Sequence, residues 1–344
     1  MDATLEKVMD LRDFFRQSRV LIVAGKGGVG KTTVTAALAH LASHAGLSVL
    51  VVELEGREGL STAFGQEGRL DYAGSVLRAA GATPEDGEDD TAVPAGSVRA
   101  RTITPDDALL EYLADHGLGR VSKRLMATGI VDLVAGAIPG IKDILVLGKI
   151  KQIERNRLAD VILVDAPATG HTLTFLSSAS GLLDAARGGP IRSQAADVVD
   201  LLSDPTRCQV VLVTLPEEMP VNEVVDAAFA LEDRVGVALG PIIVNGCYPP
   251  LSAGATPATD AAAEAGVEIS GDAICALDAA RRFRMVRQGL QDEQLARLAH
   301  ELPLDQLRIP YLFAPVIGPP EIDALSDALA TGIDGLRHPA DIAS

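Results

Sequence analysis

The sequence predicts an α/β fold built on a doubly wound, mostly parallel sheet. Three observations carry that prediction. Five short runs, Val20–Ala24, Val49–Leu54, Val161–Val164, Val210–Leu215 and Pro241–Asn245, are rich in β-branched residues and continuously apolar. Unbroken rather than alternating apolarity is what strands show when helices cover both faces of their sheet. Helical patterns at Thr33–Ala45 and Asn222–Glu232 lie between these runs, and another at Asp278–Arg287 follows the fifth, the strand–helix alternation of a parallel sheet. A glycine-rich segment, Gly25–Thr32, joins the first run to the first helical pattern.

The chain has 344 residues, 47% hydrophobic and 22% charged, enough for a sizeable core. No internal repeat is visible, so a single domain over 1–344 is expected, with helical insertions at about 66–150 and 173–206. Residues 81–98 hold five acids and no base among Gly and Pro, which predicts a mobile surface loop. Gly140–Lys151 mixes apolar and basic residues at helical spacing and reads as an amphipathic helix packed beside the main domain. No apolar run approaches a membrane span, and the first residues lack the apolar stretch of a secretory signal. A cytoplasmic location is the expectation. The net charge of −17 argues against unspecific nucleic-acid binding, which needs a basic face. Cys208, Cys247 and Cys275 are far apart and form no CxxC pair, so neither a disulfide scaffold nor a zinc site is expected.

Chemistry concentrates first in Gly25-Lys26-Gly27-Gly28-Val29-Gly30-Lys31-Thr32-Thr33, which satisfies G-x-x-x-x-G-K-[ST]. Glycines let backbone N–H groups turn inward around phosphate oxygens, and the following helix aims its positive end at them. In that pattern Lys31 neutralises the β and γ phosphates and Thr32 offers a hydroxyl to Mg²⁺. ATP and Mg²⁺ are therefore the expected ligands. Glu55, just after the second run, can position an attacking water, because phosphoryl transfer is mostly positioning and electrostatics. Asp165 ends the third run ahead of a Gly-containing loop, where it can hold Mg²⁺ through water.

Lys26 gives the loop a second lysine. The form GKGGVGKTT resembles the deviant Walker A subclass, which includes the MinD/ParA, nitrogenase iron-protein and ArsA groups. In that subclass the extra lysine reaches the phosphates of a partner subunit, so the resemblance implies a catalytic role for Lys26 in trans. Asp165-Ala-Pro-Ala-Thr-Gly-His-Thr172 is similar to the D-T-A-P-T-G-H-T signature of the ArsA family of ATPases. Leu54-Glu55-Gly56 stands where that family has Thr-Asp-Pro in switch I, and Val213–Pro220 matches its V-T-x-P-E-E-M-P segment. Asn245 falls at the family's adenine-reading asparagine, and Pro310 at its adenine-packing proline. The match runs in order from about Val20 to about Gly318 and suits a single-domain, bacterial-type member.

The resemblance implies a dimeric nucleotide switch, as a homodimer or a heterodimer with a paralogue, coupled to a client protein or membrane partner. It leaves the client open, because the chain has no metalloid-binding cysteines and only five methionines. Two other readings remain at this point. One is an ATP-gated binding module with negligible turnover, motivated by Glu55 in place of the family's aspartate. The other is a MinD/ParA-like positioning ATPase, weakened by an acidic C-terminal tail without a basic amphipathic helix. His171 in the second motif, and Arg57 and Arg101, read as loop or surface residues. Gly140–Lys151 is assigned by the resemblance to the client-facing region.

Overall fold

A computed structural model describes residues 9–54, 58–79, 92–115, 140–250 and 256–336. Among the described residues nine strands form one sheet: β1 (Val20–Gly25), β2 (Val49–Glu53), β3 (Ser75–Arg78), β4 (Val98–Thr102), β5 (Val161–Ala168), β6 (Cys208–Thr214), β7 (Ala238–Leu239), β8 (Ile242–Cys247) and β9 (Gln306–Pro310). Their order is β3-β4-β2-β5-β1-β6-β8-β9, with the short β7 beside β6. Only the edge strand β3 runs antiparallel, on β4; the remaining pairs are parallel. The sheet is thus α/β and mostly parallel.

The helices are α1 (Leu11–Arg16), α2 (Lys31–His44), α3 (Gly59–Ala63), α4 (Pro105–Asp115), α5 (Ile141–Arg155), α6 (Thr169–Ala185), α7 (Pro190–Ser203), α8 (Glu218–Val235), α9 (Ala258–Ala265), α10 (Gly271–Glu301) and α11 (Pro319–Asp334). All six residues of β1 are buried, and they alternate between two cores as strand geometry requires. Val20, Ile22 and Ala24 face Leu147, Leu176, Leu201 and Val224 of α5 to α8. Leu21 and Val23 face Leu38, Leu60, Leu325 and Leu329 of α2, α3 and α11. Central position explains why these runs contain almost nothing but Val, Leu, Ile and Ala. β1 lies between β5 and β6, while the chain after β1 goes to β2 on one side and reaches β6 on the other. Such a reversal of strand order opens a crevice at the carboxyl ends of the strands, where ligands of α/β proteins bind.

Several segments differ from their sequence-based expectation. The stretch 66–150, read as a helical insertion, contains the strands β3 and β4. In β4, Val98, Ala100 and Thr102 are buried while Arg99 and Arg101 are half-buried, and those arginines mask the strand in the sequence. Of the acidic stretch 81–98, residues 81–91 lie outside the described residues. Its end is anchored to the fold: Val93 is 7% exposed, and its N–H donates to the Leu158 carbonyl at 2.9 Å. Helix α5 buries Ile144, Leu147, Ile150 and Ile153 on the core, and Lys151 as well. Lys151 meets Asp197 of α7 at 2.6 Å, and Glu154 meets Arg207 at 2.7 Å, so one side of α5 is tied into the fold, as the amphipathic reading expects. Within the C-terminal tail, residues 319–334 fold as α11, burying Ile322, Leu325, Leu329 and Ile333. Among the described residues no helix is long and apolar enough to cross a membrane.

Candidate functional site

The glycine-rich loop leaves β1 at Gly25 and enters α2 at Lys31. Two of its glycines hold conformations that other residues resist: Gly28 has φ +89° and Gly30, which caps α2, has φ +91°. With no Cβ penalty in the left-handed region, the backbone turns back on itself and leads into the helix amino end. Gly25 is needed for a different reason. A Cβ there would lie 2.3 Å from the Val213 carbonyl oxygen of the paired strand β6, and neither backbone can yield without parting the sheet. Gly25→Ala is expected to destabilise the fold by about 3 kcal/mol through overpacking, measured as a lower denaturant midpoint with unchanged slope.

The loop's side chains are already organised. Thr32 Oγ1 donates to Asp165 Oδ2 at 2.6 Å, joining the start of α2 to β5. Lys31 Nζ donates to the Lys26 carbonyl at 3.2 Å, so its ammonium lies across the loop. Asn245, in β8, donates through Nδ2 to the Val29 carbonyl at 2.9 Å. A side chain on Gly30 would collide with that amide at 2.3 Å. Asn245 therefore braces the loop from the far side. Pro310 ends β9 in register with Cys247, and Tyr311 N–H donates to the Cys247 carbonyl at 2.8 Å, which brings Asn245 and Pro310 to neighbouring strand ends. Thr33 follows in the first turn of α2.

Gly28, Gly30, Lys31, Thr32, Glu53, Asp165 and Ala166 line a cavity of about 200 Å³. Pockets that enclose whole drug-sized ligands run to about 300–1,000 Å³, so this cavity suits the phosphate end of a nucleotide, with the base outside it. Glu53 is the residue that sequence reasoning missed. It ends β2, pairs in register with Asp165, is 2% exposed and accepts from Thr102 Oγ1 at 3.1 Å. The usable signal was a carboxylate inside a strand otherwise made of Val and Leu. Two buried acids and a threonine hydroxyl form an all-oxygen donor set, the chemistry that Mg²⁺ takes.

Other residues singled out in the sequence are placed as follows. Glu55 and Arg57 lie outside the described residues. Lys26 Nζ pairs with Glu223 Oε1 of α8 at 2.5 Å, each side chain more than a third exposed. His171 is exposed in the first turn of α6. Arg101 stacks 4.3 Å above the Tyr72 ring, away from the loop's cavity. Burial pushes the Cys247 thiol up to about 11 and the Cys208 thiol up to about 12; both are packed thiols rather than nucleophiles at neutral pH.

Comparison with known proteins agrees with this geometry. The family model for anion-transporting ATPases of the ArsA type matches residues 18–185, a span that includes the loop, β2 and β5. ATPase BagA of Mycobacterium tuberculosis is 37% identical over 238 residues, 67% of this chain and 66% of the relative. The chain thus spans just under two thirds of that relative's length. ATPase GET3 of Chaetomium globosum is 30% identical over 187 residues, 53% of this chain and 48% of the relative. The matched span, the named relatives and the mostly parallel sheet with its glycine-rich loop agree: the chain belongs to the ArsA ATPase family.

Proposed function

We propose that this chain is a Mg²⁺-dependent ATP hydrolase that works as a two-subunit nucleotide switch in the cytoplasm, a single P-loop domain over 1–344. The observation that carries the proposal is the Thr32–Asp165 contact at the mouth of the glycine-rich loop, beside Lys31 and within the phosphate-sized cavity.

Each residue then has a task. The N–H groups from Gly25 to Thr33 and the amino end of α2 cradle the phosphates, and Lys31 balances their charge. Thr32 and, through water, Asp165 hold Mg²⁺, with Glu53 as a second acceptor at the same end of the cavity. Bound Mg²⁺ supplies charge neutralisation at the phosphoryl oxygens. Glu55 orients the attacking water. Asn245 and Pro310 hold adenine at the ends of β8 and β9. Lys26 serves the phosphates of the partner subunit, and its pairing with Glu223 keeps it in place while no partner is engaged. Binding and release of the γ-phosphate alternately favour the closed and open pair of subunits, and a client or partner protein reads that change.

A second reading is a module that binds ATP and barely turns it over, favoured by Glu55 where the family carries an aspartate. Phosphate release by the wild-type chain, measured with Mg²⁺ and with excess EDTA, separates the two. Release at a rate above the enzyme-free blank that EDTA abolishes is the expected outcome. ATP binding with release at the blank rate in both buffers sinks the hydrolase reading and leaves the binding module.

A further inference from the structure

Three neighbouring strands end an apolar series on a polar residue. On the core shared with α2, α3 and α11, β4 presents Val98 and Ala100, β2 presents Val49 and Val51, and β5 presents Val161 and Leu163. Side chains alternate along a strand, so the next position on that face is Thr102 in β4, Glu53 in β2 and Asp165 in β5. Their registers set the three side by side, Thr102 with Glu53 and Glu53 with Asp165. All three are buried. Paired strands lie about 4.8 Å apart, so this polar row reaches from β4 to the Asp165–Thr32 contact in two strand spacings.

A carboxylate as buried as Glu53 needs hydrogen-bond donors to offset its lost hydration. Thr102 supplies one, donating from Oγ1 to Glu53 Oε2 at 3.1 Å. The donor is itself held in place. Its branched Cβ restricts χ1, its N–H donates to the Asp71 carbonyl at 2.9 Å, and the following N–H of Ile103 donates to the Glu53 carbonyl at 2.9 Å. The Leu70 carbonyl also lies 3.1 Å from Thr102 Oγ1. A hydroxyl has one hydrogen to give, and an ionised acceptor makes the stronger bond, so the carboxylate takes it. The carbonyl stands by as a second acceptor, and the buried hydroxyl keeps a partner whichever way Glu53 turns.

We propose that Thr102 is a positioning residue for the divalent cation: its hydroxyl fixes the Glu53 carboxylate so that Glu53 and Asp165 face the cation together from neighbouring strands. The inference rests on the Mg²⁺-dependent reading above and adds to it a residue that acts only through Glu53. Glu53, Asp165 and Thr32 line the phosphate-sized cavity. Thr102 stands behind Glu53, because β2 lies between β4 and β5 in the sheet. Mg²⁺ demands near-ideal octahedral geometry, so a glutamate free to turn about its torsions serves it poorly. Groups that orient a metal-binding side chain typically change metal affinity by about 10–100-fold when removed.

A residue that merely fills space beside Glu53 makes the opposite demand. Valine has the shape of threonine without the hydroxyl, whereas serine keeps the hydroxyl with less bulk. Filling predicts that Thr102→Val is tolerated and Thr102→Ser damaging; positioning predicts the reverse.

Mg²⁺ titrations of ATP binding to the full-length chain, followed with a fluorescent nucleotide, test this without relying on turnover. Thr102→Val is expected to raise the Mg²⁺ concentration at half-maximal tightening at least ~10-fold, and Thr102→Ser to stay within about twofold of wild type. Affinity in EDTA should remain at the wild-type value in both. Thr102→Ala deletes the same hydroxyl without filling its space, so the result does not hang on how valine is accommodated. Glu53→Gln should raise the Mg²⁺ requirement too, and adding Thr102→Val to it should change nothing more, since a hydroxyl acting through a carboxylate is silent once that carboxylate is gone. Wild-type Mg²⁺ dependence in Thr102→Val and Thr102→Ala, Thr102→Ser as impaired as Thr102→Val, or full additivity with Glu53→Gln overturns the role of Thr102 and leaves the metal site standing. Wild-type ATP affinity that ignores Mg²⁺ overturns the metal reading itself.

Discussion

A Lys31→Ala chain is expected to release phosphate from ATP at no more than ~1% of the wild-type rate, a loss of about 2.7 kcal/mol in transition-state stabilisation. The reasoning starts from geometry. Lys31 opens α2, and its ammonium lies across the glycine-rich loop with the Lys26 carbonyl as a partner at 3.2 Å. A triphosphate offers that ammonium a far better acceptor than one neutral carbonyl, since hydrogen bonds between ionised groups are roughly twice as strong as neutral ones. The charge that develops on the transferring group meets no other cation from the loop of the same chain, because Lys26 is held by Glu223 at 2.5 Å. The loop amides remain in the variant, so weak nucleotide binding survives while turnover collapses. The measurement is steady-state phosphate release, with binding followed by a fluorescent nucleotide. Unchanged turnover in Lys31→Ala would place hydrolysis outside this loop.

The second large effect is expected at Asp165. Asp165→Asn keeps the shape of the side chain and an oxygen able to accept from Thr32, but it removes a negative charge that is only 7% exposed. The all-oxygen donor set formed with Thr32 and Glu53 then loses half of its carboxylate charge, and divalent-cation affinity follows ligand charge. Turnover is expected to fall at least ~30-fold at fixed Mg²⁺, about 2 kcal/mol, with part of the loss regained as the Mg²⁺ concentration is raised. Nucleotide binding in EDTA should change little or strengthen, since a carboxylate that repels the bare phosphates has gone. A variant whose turnover falls equally at every Mg²⁺ concentration would assign Asp165 a role other than holding the metal.

How far the sequence revealed this arrangement follows from where each element sits. Strands β1, β2, β5, β6 and β8 lie inside the sheet, covered on both faces, and their unbroken apolar runs announce them. The loop was legible because a phosphate cradle demands glycine at particular turns and lysine and threonine at fixed offsets. Elements toward the edges were not. β9 contributes Gln306, Arg308 and Pro310 alongside two buried residues, Leu307 and Ile309, and β4 interleaves two arginines with its buried residues. Half-covered strands need fewer apolar residues, so their signal sinks into that of loops. Helix α10 was read only over Asp278–Arg287 because its face changes along its length: the stripe around Phe283 points to solvent, while Leu295 and Leu298 point to the core. Glu53 was overlooked beside Glu55 because a carboxylate that ends an apolar strand resembles a solvated terminus, when its side chain is almost wholly buried. The bracing of the loop by Asn245 was invisible for another reason, since 216 residues separate it from Val29.

The central claim is that each ATP site is completed by a second subunit, and one mixing experiment tests it. Lys26→Ala chains keep an intact Lys31 loop but have no lysine to lend; Lys31→Ala chains lend Lys26 but have a disabled loop. Each variant alone is expected to release phosphate at a few per cent of the wild-type rate or less. An equimolar mixture should recover a substantial fraction of wild-type turnover, rising with total protein concentration, because mixed pairs contain one complete site. A mixture no more active than the mean of its two components, beside an active wild type, would contradict the account.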